Sequence, residues 1–332
     1  MLRKSDYENY DYRQFWKDSG REYEDRSERS ALKKLFDGIN PKGKVFADFG
    51  CGFGRLFGEY ENFATVILID YSMNNLKNAR QNIFSYLKEK NSEHNLNHIF
   101  FIAADVGNLP LKSAILDVCL SVRLIHHLQE PGDFFGEVKN SVKPGGIFIL
   151  EFANKRNMKN ILKFLAGRLK VSPFNSEPLQ IGQTILDYHP AYIKKLLKDR
   201  GFKVIKQISV SNFRLNILKK ALRLNFLLFA ENIYQRFFSF INTGPSIFLK
   251  TIPGAKEKNK FISTDNSHKP EKVTDRASIS ISEFFICPKC KGANLFMNDK
   301  ITGSFFSQDG EINCPDCSSK FPVEGGIYDF RV

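Results

Sequence analysis

From Lys44 to Val210 short apolar runs alternate with longer amphipathic ones. That alternation leaves a chain few folds to choose from, because parallel strands must be joined by covering crossovers, usually helices. The runs Val45 to Phe49, Ala64 to Asp70 (ATVILID), Ile99 to Ala104 (IFFIAA), Ile115 to Ser121, Gly146 to Phe152 and Phe202 to Val210 read as six strands. Between them, Ser72 can cap a helix that places Leu76, Ala79, Ile83 and Leu87 on one face. A second helical segment runs from Asp133 to Val142 and ends in the turn Lys143-Pro144-Gly145-Gly146. A third starts at Pro190 and stops at Gly201. Ser246 to Thr251 reads as a seventh strand.

The end of the first strand carries the most chemistry. Asp48-Phe49-Gly50-Cys51-Gly52-Phe53-Gly54 leads into an expected helix start at Arg55. Glycines there let the backbone turn tightly and approach a ligand at the carboxyl end of a central strand, where such sheets bind ligands. The spacing is G-x-G-x-G, with Arg55 standing where a pyrophosphate-gripping loop has its last glycine. The loop also lacks the Lys-Ser/Thr pair of a phosphate-binding loop, which points to a nucleoside without phosphates. Asp70, 20 residues after Gly50, ends the second strand and can accept hydrogen bonds from both hydroxyls of a ribose. Asp105 follows the third strand in the same manner, within reach of an exocyclic amine. Asp48 sits under the loop, where it can orient an ammonium group. One carboxylate at a strand end is ordinarily a cap or a solvated turn; three beside one glycine loop suggest a pocket.

These residues resemble the class I S-adenosylmethionine-dependent methyltransferases, in particular the group that includes the ubiquinone and menaquinone biosynthesis enzymes. The similar text is VFADFGCGFGRL, LIDYS, ADVGNLPL, LDVCLSVRLIHHL and VKPGGIFILEF, in the family's order and spacing over about Lys44 to Phe152; GPSIFLKT resembles its closing hairpin strand. The resemblance implies an α/β, Rossmann-like, seven-stranded, mostly parallel sheet with helices on both faces. It implies that Gly50, Gly52 and Gly54 pass the methionine part of the cofactor and that Asp70 holds the ribose, with Cys51 and Tyr71 beside them among the cofactor-binding residues. Asp105 and Val106 would contact adenine, and Ser121 and Val122 would line the path of the methyl group. His126 and His127 are candidate bases, with packing as the ordinary alternative. The Asn/Asp-Pro-Pro-Tyr sequence of exocyclic-amine methylases is replaced by SVRLIHH, which argues against adenine-amine or glutamine acceptors.

Charge and apolarity concentrate after the sixth strand. The formal charge is +13, and between Ala191 and Lys260 stand 15 Lys and Arg against Asp199, Glu231 and Glu257. Such a stretch attracts polyanions such as RNA or an anionic membrane surface, unless it is merely a solvated face. Phe213 to Ile241 mixes these cations with large apolar residues at helical spacing, giving one or two amphipathic helices. Its longest apolar run, Leu224 to Ala230, is interrupted by Asn225 and falls far short of the ~20 residues of a spanning helix. Asp187-Tyr188-His189-Pro190 precedes a helix where acceptor contacts are usual in this fold, and also reads as a plain helix start. At the other end, Met1 to Trp16 lacks the apolar core of a secretory signal, so a cytoplasmic location is expected. Tyr12 or Trp16 can cover the cofactor or simply pack a helix.

Four of the six cysteines form two knuckles, Cys287-Pro288-Lys289-Cys290 and Cys314-Pro315-Asp316-Cys317. Two tight turns with two thiolates each are what a tetrahedral structural zinc site needs, with no open position for water. The tail Lys320 to Phe330 resembles the small zinc-binding activator protein of tRNA, rRNA and release-factor methyltransferases, so the ribbon is expected to touch either RNA or the catalytic domain. The expected organisation is an N-terminal helical covering segment over 1–43, a methyltransferase domain over 44–254 with a basic insertion at 213–241, a linker over 255–283 and a zinc ribbon over 284–332. Methyl transfer to a small or lipid-like molecule is the leading reading. Methylation of RNA, with the basic stretch and ribbon holding phosphates, is the alternative, and a non-enzymatic binding module is the third.

Overall fold

A computed structural model describes residues 13, 16, 20–92, 98–182, 184–254, 281–297 and 309–332. Helix α1 (Glu22–Phe36) leads to β1 (Val45–Phe49), β2 (Thr65–Asp70), α2 (Met73–Glu89), β3 (Ile99–Ala103) and β4 (Leu116–Ser121). Then come α3 (Pro131–Ser141), β5 (Val142–Ala153), α4 (Met158–Leu165), the short strands β6 (Leu179–Ile181) and β7 (Ile185–Asp187), α5 (Pro190–Asp199) and β8 (Phe202–Val210). Helices α6 (Asn216–Ala221) and α7 (Leu224–Phe237) precede β9 (Ser246–Pro253). The carboxyl-terminal part holds a short helix α8 (Ile281–Phe284) and strands β10 (Phe296–Met297), β11 (Gly310–Asn313), β12 (Lys320–Glu324) and β13 (Ile327–Asp329).

The seven expected strands form the order β3-β2-β1-β4-β5-β9-β8, parallel except for β9, which runs antiparallel to both neighbours. β1 to β3 are nearly continuous apolar runs because both faces of a doubly wound sheet are covered. The Ser72 cap is present: its hydroxyl accepts the Asn75 N–H at 3.2 Å. The Lys143-Pro144-Gly145-Gly146 turn is not a separate connector but part of β5. It forms an irregularity where the register against β4 jumps from Leu116↔Val142 to Val118↔Ile147, with Gly145 at φ 77°.

The expected seven-stranded sheet and separate ribbon turn out to be one surface. β13 pairs in parallel with β3 (Ile327↔Phe101, Tyr328↔Ile102, Asp329↔Ala103), so β10 to β13 extend the sheet to eleven strands. The pairing covers an edge that would otherwise present unpaired amides. It is backed by a buried aromatic cluster in which Phe285 lies 5.5 Å from Phe100 and 5.9 Å from Phe330, ring centre to ring centre. Phe285 also bridges to Leu111, and Lys112 N donates to Phe284 O at 2.9 Å. Of the expected linker, 255–280 lies outside the described residues. Its last three positions belong to α8, because Ile281 and Phe284 bury themselves with Phe285 in the hydrophobic core beside the sheet.

The 213–241 segment forms α6, α7 and a single 3-10 turn at Ser239–Ile241. Glu231 of α7 is buried and accepts hydrogen bonds from Tyr23 OH (2.7 Å), Ser211 N (2.8 Å) and Asn212 N (2.9 Å). One carboxylate thereby ties α1, the end of β8 and α7 together. Glu231→Ala would leave a hydroxyl and two amides without their acceptor, and should cost at least about 3 kcal/mol, at about 1–3 kcal/mol per stranded donor. Urea unfolding of the two proteins measures this, and a loss below about 1 kcal/mol would show that water substitutes for the carboxylate.

Candidate cofactor and metal sites

The carboxyl ends of β1, β2 and β4 surround a cavity lined by residues from both flanking loops and by Trp16. Gly50, Gly52 and Gly54 all adopt the left-handed conformation, at φ 72°, 55° and 71°. At Gly50 a Cβ would press on Leu124 at 3.0 Å. Gly50 N and Cys51 N both donate to Ile69 O, at 2.8 and 3.1 Å, which pins the loop to the end of β2. An α-helix does not begin at Arg55 as expected. The chain makes successive turns and a 3-10 turn at Phe57–Glu59, since three left-handed glycines in five residues leave no helical backbone to extend.

Asp70 organises the junction. Its Oδ2 accepts Gly52 N–H at 2.9 Å, and its Oδ1 accepts Ser72 N–H at 2.9 Å and Asn75 Nδ2 at 3.2 Å. Asp48 is buried beside it and accepts the Tyr60 hydroxyl at 2.6 Å. Burial pushes the Asp48 carboxyl up to about 7, against the pull of the Tyr60 hydrogen bond and with the help of the Asp70 charge. Asp105 is exposed at the rim, where Oδ1 accepts Gly107 N–H at 2.8 Å. Cys51, Tyr71, Val106 and Val122 also line the cavity.

Three expected residues do not. Gly54 turns toward α2, where a Cβ would meet Ile83 at 3.1 Å. Ser121 is fully buried within β4, and its hydroxyl finds no hydrogen-bond partner among the described residues; the next residue, Val122, reaches the cavity, as strand alternation dictates. His126 is buried away from the lining, and its desolvation, with His127 and Arg123 nearby, holds its pKa far below the usual imidazole value. His127 does line the cavity, with Nδ1 3.1 Å from Thr184 O. A carbonyl can only accept, so the proton sits on Nδ1, and burial keeps the ring neutral.

Two lining residues, Arg123 and Leu124, gave no signal in the sequence. Arg123 adopts φ 59°, a strained conformation for a non-glycine residue, held by Glu151 Oε2 on its amide at 2.8 Å. The Arg123 and Arg55 guanidiniums both pair with Glu28, which is fully buried on α1, and both stack on Trp16, at 4.8 and 3.8 Å from its ring centre. Trp16 thus reaches the cavity; Tyr12 lies outside the described residues. Within Asp187-Tyr188-His189-Pro190 the contacts are largely structural: Tyr188 OH donates to Leu128 O at 2.6 Å, and His189 Nδ1 accepts Ala191 N–H as the cap of α5. Asp187 stands apart, its carboxyl pushed up to about 6 by burial.

The four knuckle cysteines converge, with their Sγ atoms all within 4.8 Å of one another. The Cys287–Cys317 and Cys290–Cys314 sulfur distances are 3.6 and 3.5 Å. That is too long for disulfides, and close to the roughly 3.8 Å separation that a tetrahedron with ~2.3 Å zinc–sulfur bonds requires. Both knuckles close alike, with Lys291 and Ser318 left-handed at φ 61° and 57°. Beyond the knuckles the chain returns to the cavity. Phe330 N donates to Ala103 O at 2.8 Å, and Arg331, braced by Asp329, donates to Tyr71 O at 3.2 Å with its guanidinium 5.6 Å from the Tyr71 ring.

Residues 47–150, the part that builds this cavity, match the methyltransferase domain family. An uncharacterized chloroplastic methyltransferase of Arabidopsis thaliana is 28% identical over 111 residues, 32% of this chain and 30% of that protein. A probable S-adenosylmethionine-dependent methyltransferase of Mycolicibacterium smegmatis is 27% identical over 107 residues, 32% of this chain and 36% of that one. The chain thus spans about a third of the length of these curated relatives. Among solved structures, the complex between the Haloferax volcanii Trm112 methyltransferase activator and a putative methyltransferase aligns over 75% of this chain and 98% of that chain, at 17% identity and TM-score 0.49.

Proposed function

We propose, from the methyltransferase domain that residues 47–150 form, that this protein transfers the methyl group of S-adenosylmethionine to a small or lipid-like acceptor. The observation that carries this reading is the meeting of Asp48, Asp70 and Asp105 with Gly50 and Gly52 around one cavity. Three carboxylates suit a cationic nucleoside and disfavour phosphates. Asp70 would accept the ribose hydroxyls, Asp105 and Val106 would meet adenine, and Asp48 would face the ammonium group, with Arg55 and Arg123 on the carboxylate side. The cofactor supplies a methyl group already activated on a sulfonium. The chain's task is therefore to align the acceptor behind that carbon and to exclude water, for which the Trp16 cover and the apolar Val122, Leu124 and Leu128 wall are suited. His127, neutral and carrying its proton on Nδ1, would take a proton on Nε2 from a weak acceptor. The four cysteines we read as a structural zinc site.

Asp48 provides a test that does not require the acceptor. Its carboxyl keeps its proton to about pH 7 in the folded protein, whereas binding an ammonium group requires the carboxylate. Cofactor affinity, measured by titration calorimetry, should therefore rise as pH passes from 6 through 7, and Asp48→Asn should bind more weakly and flatten that slope. Without ligand the sign reverses: the unfolded carboxyl has released its proton and the folded one has not, so stability should fall between about pH 4 and 7. No cofactor binding at any pH would remove the proposal. A labelled-methyl assay on extract separated into RNA, protein, lipid and small molecules identifies the acceptor class, and label confined to RNA would favour the alternative reading.

A further inference from the structure

Helix α7 is amphipathic in the reverse sense. Its buried face carries Leu227, Glu231 and Gln235, while Phe226, Phe229, Ile233 and Phe237 lie on the opposite side, 39–63% exposed. At 3.6 residues per turn these four fall within about 80° of arc, a continuous outward apolar stripe. Helix α4 repeats the inversion, burying Asn160 and exposing Met158, Leu162 and Leu165. The two helices are joined through Thr243, whose carbonyl accepts Met158 N–H at 3.0 Å and whose hydroxyl meets Tyr234 OH at 2.7 Å. α4 follows the carboxyl end of β5, and α6 and α7 follow that of β8, so both sit at the same end of the sheet as the cofactor cavity.

Charge indicates what covers this face. Residues 155–170 and 211–245 together contain eleven Lys and Arg and one acid, Glu231, which is buried. Lys220, Arg223 and Arg236 are exposed around the α7 stripe, and Lys163 and Arg168 around that of α4. Outward apolar side chains ringed by cations, with no exposed acid in either segment, have the composition of a helix that lies in a bilayer interface. No helix among the described residues is long and apolar enough to cross a membrane.

We propose that α4 and α7 form a docking face for an anionic lipid surface, with the phenylalanines inserted between headgroups and the cations against lipid phosphates. The proposal goes beyond the cofactor reading and does not need it, since a protein unable to bind S-adenosylmethionine would still dock. The test is flotation of the full chain with vesicles of phosphatidylcholine alone or mixed with phosphatidylglycerol. Binding is expected to the mixed vesicles, and to weaken as salt is added. Phe226→Ser/Phe229→Ser/Phe237→Ser should reduce partitioning roughly a hundredfold, because each ring forfeits its apolar burial. Lys220→Glu/Arg223→Glu/Arg236→Glu should lose the preference for anionic lipid. The substituted side chains are exposed, so unchanged melting curves would show that the variants fold. The proposal is overturned if the protein does not float, if the triple serine variant floats like the parent, or if the face instead mediates self-association or holds single-stranded RNA without binding vesicles.

Discussion

On the zinc reading proposed for the four-cysteine site, chelation, or Cys287→Ser with Cys314→Ser, should lower the melting temperature of the whole protein by roughly 10–20 °C. The knuckles belong to a segment too small to fold on its own core, and metal binding supplies about 10–16 kcal/mol of folding free energy in comparable sites. When they open, β13 loses the ribbon that presents it to Phe101 to Ala103, and the edge of β3 tends to be bared. Tyr328, Phe330 and Phe285, all at most 1% exposed, return to water at about 1.5–3 kcal/mol each. A loss of around 5 kcal/mol is a large part of the ~5–15 kcal/mol that a folded domain typically has, and at about 2–4 °C per kcal/mol it gives the shift above. Cofactor affinity should fall as well, because Arg331 braces Tyr71 at the rim of the cavity. Calorimetric melts with and without chelator, followed by zinc addition, decide the matter. An unshifted melt would mean that the ribbon holds itself and the sheet edge without metal.

Asp70→Ala should weaken S-adenosylmethionine binding by about a hundredfold or more. Hydrogen bonds to a charged acceptor contribute roughly 1.5–3 kcal/mol each, and the ribose would make two. The substitution also strands the Gly52 and Ser72 amides, so the glycine loop and the α2 start should loosen together. Asp70→Asn separates these effects: it keeps the volume but offers an N–H where an acceptor is needed. Asp105→Asn is the internal comparison, since that carboxylate is exposed and should count for less. Titration calorimetry on the three variants, with circular dichroism to confirm folding, measures the ranking. Affinity within about threefold of the parent for Asp70→Ala would place the ribose elsewhere and remove the basis for the cofactor reading.

Much of the frame was readable because its signals are local. The β1 and β8 boundaries coincide with the expected runs: β1 is buried almost along its whole length, while β8, at the sheet edge, starts after the Gly201 stop and mixes buried with exposed positions. The Ser72 cap was readable because capping involves a hydroxyl and an amide three residues apart. The β6–β7 hairpin escaped notice: at three residues per strand it has no periodicity to detect, yet it brings Thr184 to His127. Gly54 and Ser121 stand outside the cavity lining for a related reason. A motif says that a residue is near a loop, while the direction of its side chain depends on α2 in one case and on the pleat of β4 in the other.

By itself the sequence determined the doubly wound sheet, the glycine turn, the three strand-end carboxylates and the paired knuckles, all of which follow from side chains and backbone torsions within a few residues of one another. Only the tertiary structure decided that the ribbon extends the sheet, that Glu28 gathers Arg55 and Arg123 beneath Trp16, and that α7 buries Glu231 while turning its phenylalanines outward. Each of these joins residues 27 to more than 200 positions apart. A helical period reveals two faces, but which one meets the core depends on hydrogen-bond partners that arrive from elsewhere in the chain.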